Sequence, residues 1–89
     1  MILHKTDFGF AFFCPGCKCG HGVWLNYPNP TTGAKWTWNG SLDKPSFQRS
    51  LLMDKTKPRC HVVITDGILC YEKDCEHQYA DQKIPMVDF

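Results

Sequence analysis

Short apolar runs separated by polar and turn-forming residues dominate the pattern of this chain. The runs are rich in aromatic and β-branched side chains, and they cover residues 8–13, 23–25, 36–38, 47–53 and 62–71. Glycine, proline and asparagine stand between them, and the six prolines interrupt any long helical pattern. The pattern therefore predicts an all-β or β-rich domain, in which residues 76–82 offer the one plausible helical turn.

The clearest predicted element is a hairpin that spans residues 60–72. Asp66 and Gly67 stand between its two apolar runs. Both central positions of a type I′ turn need positive φ, which Asp-Gly tolerates well. This turn places Val63 opposite Cys70 and sets which side chains share a face, because side chains alternate along a strand.

Length and cysteine content change this picture of a plain β domain. The chain has 89 residues, six of them cysteine and four histidine. A chain this small buries only about 60–65% of its unfolded surface, so its core needs reinforcement. No apolar run is long enough to span a membrane, and no secretory signal is visible at the N-terminus. We expect a single domain, residues 1–89, in the cytoplasm, where thiols hold metal more readily than they form disulfides.

Cys14 and Cys17 enclose Pro-Gly in a tight knuckle that aims both sulfurs at one point. The residues after it include two glycines in five, which is a poor start for the helix that a redox Cys-x-x-Cys pair requires. Zinc prefers four nitrogen or sulfur ligands in a tetrahedron. We predict one structural Zn²⁺ in a zinc-ribbon-like fold, held by Cys14, Cys17, Cys60 and His77.

The last two ligand positions stay open at this stage. Cys75 or His61 can replace Cys60 or His77, and His21 can complete the first half-site instead. Four protein ligands would close the site to water and make the metal structural. Zinc-hydrolase, deaminase, nucleophile-elbow and P-loop signatures are absent from the sequence, so no catalytic residue is assigned and a binding protein is favoured over an enzyme.

A basic and aromatic segment occupies the middle of the chain. Lys35, Trp36 and Trp38 alternate with small polar residues, and Lys44 and Arg49 follow. Tryptophans beside basic residues can anchor a partner protein or stack on nucleic-acid bases. We predict that these five residues contact a partner.

Several motifs resemble a family of small proteins of unknown function from tailed phages and prophages, some of which are mislabelled as ammonia monooxygenase. The match extends over most of residues 12–87, and its segments include Phe13-Cys14-Pro15-Gly16-Cys17, residues 36–47 from Trp36 to Phe47, residues 59–67 from Arg59 to Gly67, and Asp74-Cys75-Glu76-His77. Arg49 stands where the family usually has proline. The resemblance implies a phage origin, and therefore a host-cytoplasmic location, but no activity.

Three functions are compatible with these features. The first is a phage-encoded zinc-binding accessory protein that binds a host or phage protein and counteracts a host defence system. The second is a nucleic-acid-binding zinc module that uses Trp36, Trp38 and the basic middle segment. The third is a small zinc hydrolase in which His21, His61, Asp66 or Asp74 supplies acid-base groups.

Overall fold

The computed structural model describes residues 1–54 and 58–88, and within them the chain is built from short antiparallel strands. The strands are β1 (His4–Lys5), β2 (Gly9–Cys14), β3 (Cys19–Trp24), β4 (Thr37–Trp38), β5 (Phe47–Gln48), β6 (Leu51–Met53), β7 (Cys60–Thr65), β8 (Ile68–Tyr71) and β9 (Lys83–Pro85). The described residues contain no helix, and the candidate segment 76–82 forms hydrogen-bonded turns. The all-β prediction is therefore confirmed.

The strands form three sheets, with orders β1-β2-β3, β4-β5 and β6-β7-β8-β9. In the first sheet, the β2–β3 hairpin closes at the pair Cys14 and Cys19. Lys18 has a φ of 59° in this turn, and its N–H donates to the carbonyl of Cys14 at 2.7 Å. The Cys-Pro-Gly-Cys knuckle is thus the tip of a hairpin. In the described part of the chain, no helix has the length and apolar character to cross a membrane.

The predicted hairpin forms the centre of the four-stranded sheet. Val63 pairs with Cys70, as predicted. Asp66 and Gly67 have φ values of 51° and 76°, which are the positive angles of a type I′ turn. The turn also packs against the β4-β5 ribbon, because the N–H of Gly67 donates to the carbonyl of Pro45.

The inward faces of the sheets share one apolar core. Alternation along β7 buries every second residue from Cys60 to Ile64. The completely buried side chains include Phe12, Val23, Leu51, Val62, Ile64 and Leu69. On β6, Leu51 faces this core, whereas Leu52 pairs with His61 on the outer face and is 45% exposed.

This pair of leucines offers a test of the face assignment. We expect Leu51→Ala to lower the free energy of unfolding by about 2–5 kcal/mol, because it leaves a cavity in the core. The adjacent Leu52→Ala is expected to change it by less than about 0.5 kcal/mol. Urea denaturation followed by tryptophan fluorescence measures both values. Equal effects of the two substitutions would contradict the assignment.

Candidate metal centre and catalytic site

The structure brings the four predicted ligand residues together. The ligand atoms of Cys14, Cys17, Cys60 and His77 all lie within 4.8 Å of one another. The Sγ atoms of Cys14 and Cys60 are 3.8 Å apart. Two sulfurs bound to one tetrahedral zinc at 2.3 Å stand roughly 3.8 Å apart, so this spacing suits a metal ion.

Three separate parts of the chain supply these side chains. Cys14 and Cys17 come from the tip of the β2–β3 hairpin, Cys60 begins β7, and His77 lies in the loop after β8. The imidazole of His77 packs directly over Gly16, where a Cβ atom would overlap the ring. Glycine inside the knuckle is therefore required for His77 to reach the cluster.

The electrostatics of the cluster also favour a cation. The Cys60 thiol and other hydrogen-bonding groups stabilise the Cys14 thiolate and lower its pKa to about 3, against the opposing effect of burial. Burial and the neighbouring Cys14 charge raise the pKa of Cys17 to about 12. The hydrogen bond to Cys14, together with burial, raises the pKa of Cys60. A metal ion replaces the protons of the remaining thiols, because it binds thiolates.

The ring of His77 provides a second indication of a bound ion. Its Nε2 atom is buried and has no hydrogen-bond partner among the described residues, and the same holds for the Nε2 atom of His21, which lies beside Cys14. A buried polar atom without a partner lowers the stability of the folded state, and binding to a metal ion removes this penalty. The set Cys14, Cys17, Cys60 and His77 can therefore hold a metal ion, and its assignment as the ligand set stays a prediction.

The alternative ligands of the sequence analysis occupy other positions. His21 lies beside Cys14 and contributes to lowering the pKa of that thiol. The Cys75 sulfur contacts the backbone of His61, accepting its N–H at 3.2 Å and donating to its carbonyl at 3.1 Å. Burial raises the pKa of Cys75, which keeps it a thiol able to donate. Cys75 thus connects β7 to the loop that carries His77.

The side chain of His61 lies on the opposite face of β7 from Cys60, and there it meets a serine and an aspartate. Its Nε2 atom is 2.9 Å from the Oγ atom of Ser50, and its Nδ1 atom is 3.0 Å from an Oδ atom of Asp74. This is the arrangement of nucleophile, base and orienting carboxylate found in serine hydrolases. His61 and Asp74 are acid-base candidates of the hydrolase alternative, whereas no sequence pattern singles out Ser50; among the described residues, the structure joins these three side chains.

The elements around this triad hold each member in place. Ser50 stands between β5 and β6, directly after Arg49, whose φ of 78° turns the chain sharply. Asp74 contacts Arg59 at 3.4 Å. The hydrogen bond from His61 lowers the pKa of Asp74 most strongly. Burial opposes this effect, and the Arg59 charge adds a smaller lowering, so this carboxylate is ionised at neutral pH. An ionised aspartate fixes the tautomer and orientation of the imidazole.

Two of the five predicted partner-binding residues, Trp36 and Arg49, lie next to Ser50. The indole N–H of Trp36 donates to the carbonyl of Ser50 at 3.3 Å, and Arg49 precedes that serine. Trp38 packs its ring edge-on against Phe10 and donates its N–H to the carbonyl of Ser41. Lys35 and Lys44 are exposed. A role of these residues in binding a partner stays a prediction.

Comparison with known families adds one finding. The family model described as "Bacterial ubiquitination-like system serine protease (BubE)" matches residues 1–71 of this chain. The matched part contains Ser50 and His61, while Asp74 follows three residues after its end. Neither the curated proteins nor the solved structures include a match to this chain. The phage origin implied by the resemblance stays a prediction.

Metal content tests the ligand set. We expect the purified protein to hold one metal ion per chain, and Cys17→Ser to lose it, because three remaining ligands bind a metal far more weakly. Elemental analysis after dialysis measures the stoichiometry. Cys19→Ser is the matched control, since Cys19 is exposed at the same hairpin tip and lies outside the cluster. Equal metal content in the two variants would exclude this site.

Proposed function

The chain belongs to the BubE family of bacterial ubiquitination-like system serine proteases, and we propose that it cleaves an acyl bond with Ser50 as nucleophile. The observation that carries this proposal is the hydrogen-bonded series Ser50–His61–Asp74 in a chain whose family is described as a serine protease. Each distance lies in the range that proton transfer and orientation require. A serine, a histidine and an aspartate in this arrangement are the groups that a serine protease of this kind uses.

The proposed reaction follows from the positions of these atoms. His61 Nε2 takes the proton of Ser50 Oγ as that oxygen bonds to the substrate carbonyl carbon. The bond to the leaving amine then breaks, and His61 gives its proton to that amine. Water next attacks the acyl group with His61 as base, which releases the acid and restores Ser50. Asp74 stays ionised throughout and stabilises the positively charged imidazole.

The metal in this proposal is a structural zinc. Three thiolates and one imidazole form a ligand set that zinc prefers, and they leave no position open for water. The ion would join the β2–β3 hairpin to β7 and to the loop after β8. Since His61 follows Cys60 and Asp74 precedes His77 by three residues, the ion supports the two parts of the chain that carry the base and the carboxylate.

This proposal also refines the function predicted from the sequence. A protease of a ubiquitination-like system acts on a protein, so the predicted protein partner becomes the substrate. The zinc hydrolase alternative is replaced by a serine hydrolase that contains zinc. A phage-encoded member located in the host cytoplasm would act on a bacterial system of this kind, and could counteract a host defence in that way.

Covalent labelling tests the nucleophile. We expect a fluorophosphonate probe to modify the wild-type protein once, at Ser50, because His61 activates that hydroxyl. Ser50→Ala should lose the label, and Ser41→Ala, which changes a half-buried serine of another loop, should keep it. Intact-mass and peptide mass spectrometry locate the adduct. A wild-type protein that resists the probe, or equal labelling of Ser50→Ala, would refute the proposal.

The rate of labelling in the same assay tests the role of Asp74. Asp74→Asn is expected to slow labelling by about a thousandfold or more, because the amide favours the wrong imidazole tautomer. Asp81→Asn is the control, since Asp81 lines the same depression, whereas the hydrogen bonds of the His61 ring go to Asp74 and Ser50. Circular dichroism must remain unchanged in both variants. Similar rates for Asp74→Asn and Asp81→Asn would exclude Asp74 from the catalytic group.

Chelation separates a structural zinc from a catalytic one. We expect a strong chelator to reduce Ser50 labelling and near-ultraviolet circular dichroism together, because folding and metal binding are coupled. Added Zn²⁺ should restore both signals. If labelling disappears while the circular dichroism spectrum and the melting temperature persist, the ion acts in the chemistry and the structural assignment is wrong.

A further inference from the structure

An apolar groove adjoins the proposed nucleophile. It has a volume of about 740 Å³, and its walls include Leu3, Phe10, Leu25, Trp36, Trp38 and Leu42. A smaller depression of about 360 Å³ contains Arg49 and Ser50 and shares the side chain of Trp36 with the groove. Trp36 therefore lines both the groove and the depression that contains the proposed catalytic serine.

The position of Trp36 is fixed by two hydrogen bonds. Its indole N–H donates to the carbonyl of Ser50 at 3.3 Å, and its backbone N–H donates to the carbonyl of Trp24 at 2.8 Å. Trp36 thus connects the end of β3 to the segment between β5 and β6. A polypeptide that passes over this ring can reach both the groove and the Ser50 hydroxyl.

The chemistry of acyl transfer assigns this groove to one side of the substrate. The acyl carbon bonds to Ser50, whereas the leaving amine receives its proton from His61 and so departs on the His61 side. A different depression of about 460 Å³ contains His61 and Asp74. The groove beyond Trp36 has neither residue in its walls, so it lies on the acyl side.

The side chains of the groove indicate what it binds. Leu42 is 49% exposed and Met1 is 73% exposed, so large apolar surfaces face solvent there. Lys5 and Lys35 also line the groove, and no carboxylate does so among the residues that the structure describes. The groove thus suits an apolar side chain with a negative charge next to it.

We propose that the groove binds the acyl-side segment of the substrate, and that this segment carries a large apolar side chain next to an acidic one. Because Trp36 lines both cavities and an extended chain advances about 3.3 Å per residue, we place the apolar side chain roughly two to four residues before the cleaved bond. The proposal rests on the serine protease function, because it takes Ser50 as the point of attachment.

Coumarin-linked peptides test the proposal, because their leaving group is constant and only the acyl side varies. The probes are acetyl-Glu-Leu-Ala-Ala-aminomethylcoumarin, the same peptide with the leucine moved one position in either direction, and acetyl-Ala-Ala-Ala-Ala-aminomethylcoumarin. We expect the best leucine peptide to exceed the all-alanine peptide by at least about tenfold in kcat/KM, the gain from burying one leucine side chain.

Two charge variants locate the binding surface. Leu42→Glu and Lys35→Glu are each expected to reduce kcat/KM for the best peptide by about tenfold. Hydrolysis of p-nitrophenyl acetate, which has no acyl-side chain, should be unchanged. Val87→Glu and Lys18→Glu are the matched controls, since both residues are exposed and lie outside the groove. Controls that lose as much activity as the groove variants would overturn the proposal.

A binding measurement separates this inference from the proposed function. Ser50→Ala cannot react but keeps the groove, so the acid product acetyl-Glu-Leu-Ala-Ala should still quench tryptophan fluorescence in that variant. If the product binds to Ser50→Ala and the further substitution Leu42→Glu abolishes that binding, the groove proposal is supported even when Ser50 does not react with fluorophosphonate. Labelling of Ser50 with no preference among the peptides and no product binding refutes the groove and leaves the nucleophile intact.

Discussion

The alternation of side chains along β7 is the constraint on which the rest of the site depends. Cys60 points into the cluster of thiols, and the next residue, His61, points outward to Ser50. A strand places neighbouring side chains on opposite faces, so Cys60 can join the thiol cluster while His61 contacts Ser50. A shift of register by one residue would exchange these faces and destroy both the metal centre and the triad.

The loop after β8 also supplies residues both to the triad and to the cluster of thiols. Asp74 orients the His61 ring, Cys75 holds the His61 backbone through its sulfur, and His77 joins the cluster. Two segments that are distant in sequence are therefore joined on both faces of β7. This explains how an exposed carboxylate keeps its place without support from a large protein interior.

The sequence predicted those features that have a local signature. Cys-Pro-Gly-Cys indicated a knuckle, Asp66-Gly67 indicated the hairpin turn, and alternation then placed Cys60 away from His61. The triad has no such signature, because Ser50 and Asp74 lie 11 and 13 residues from His61 and come together only through strand pairing. The residue pattern names His61 and Asp74 only among four acid-base candidates, and it does not single out Ser50.

Under the proposed function, small size gives a reason for a metal centre and a serine triad to occur in the same fold. A core of short strands supplies little stability by itself, and a triad on an outer face supplies none. Metal ligation joins chain segments more firmly than packing does in a chain of this length, since the binding free energy becomes folding free energy. Catalytic geometry can then be held at a solvent-facing surface, where a protein substrate has free access. In the proposed function, the metal and the triad serve one activity, and the alternation at Cys60 and His61 connects them.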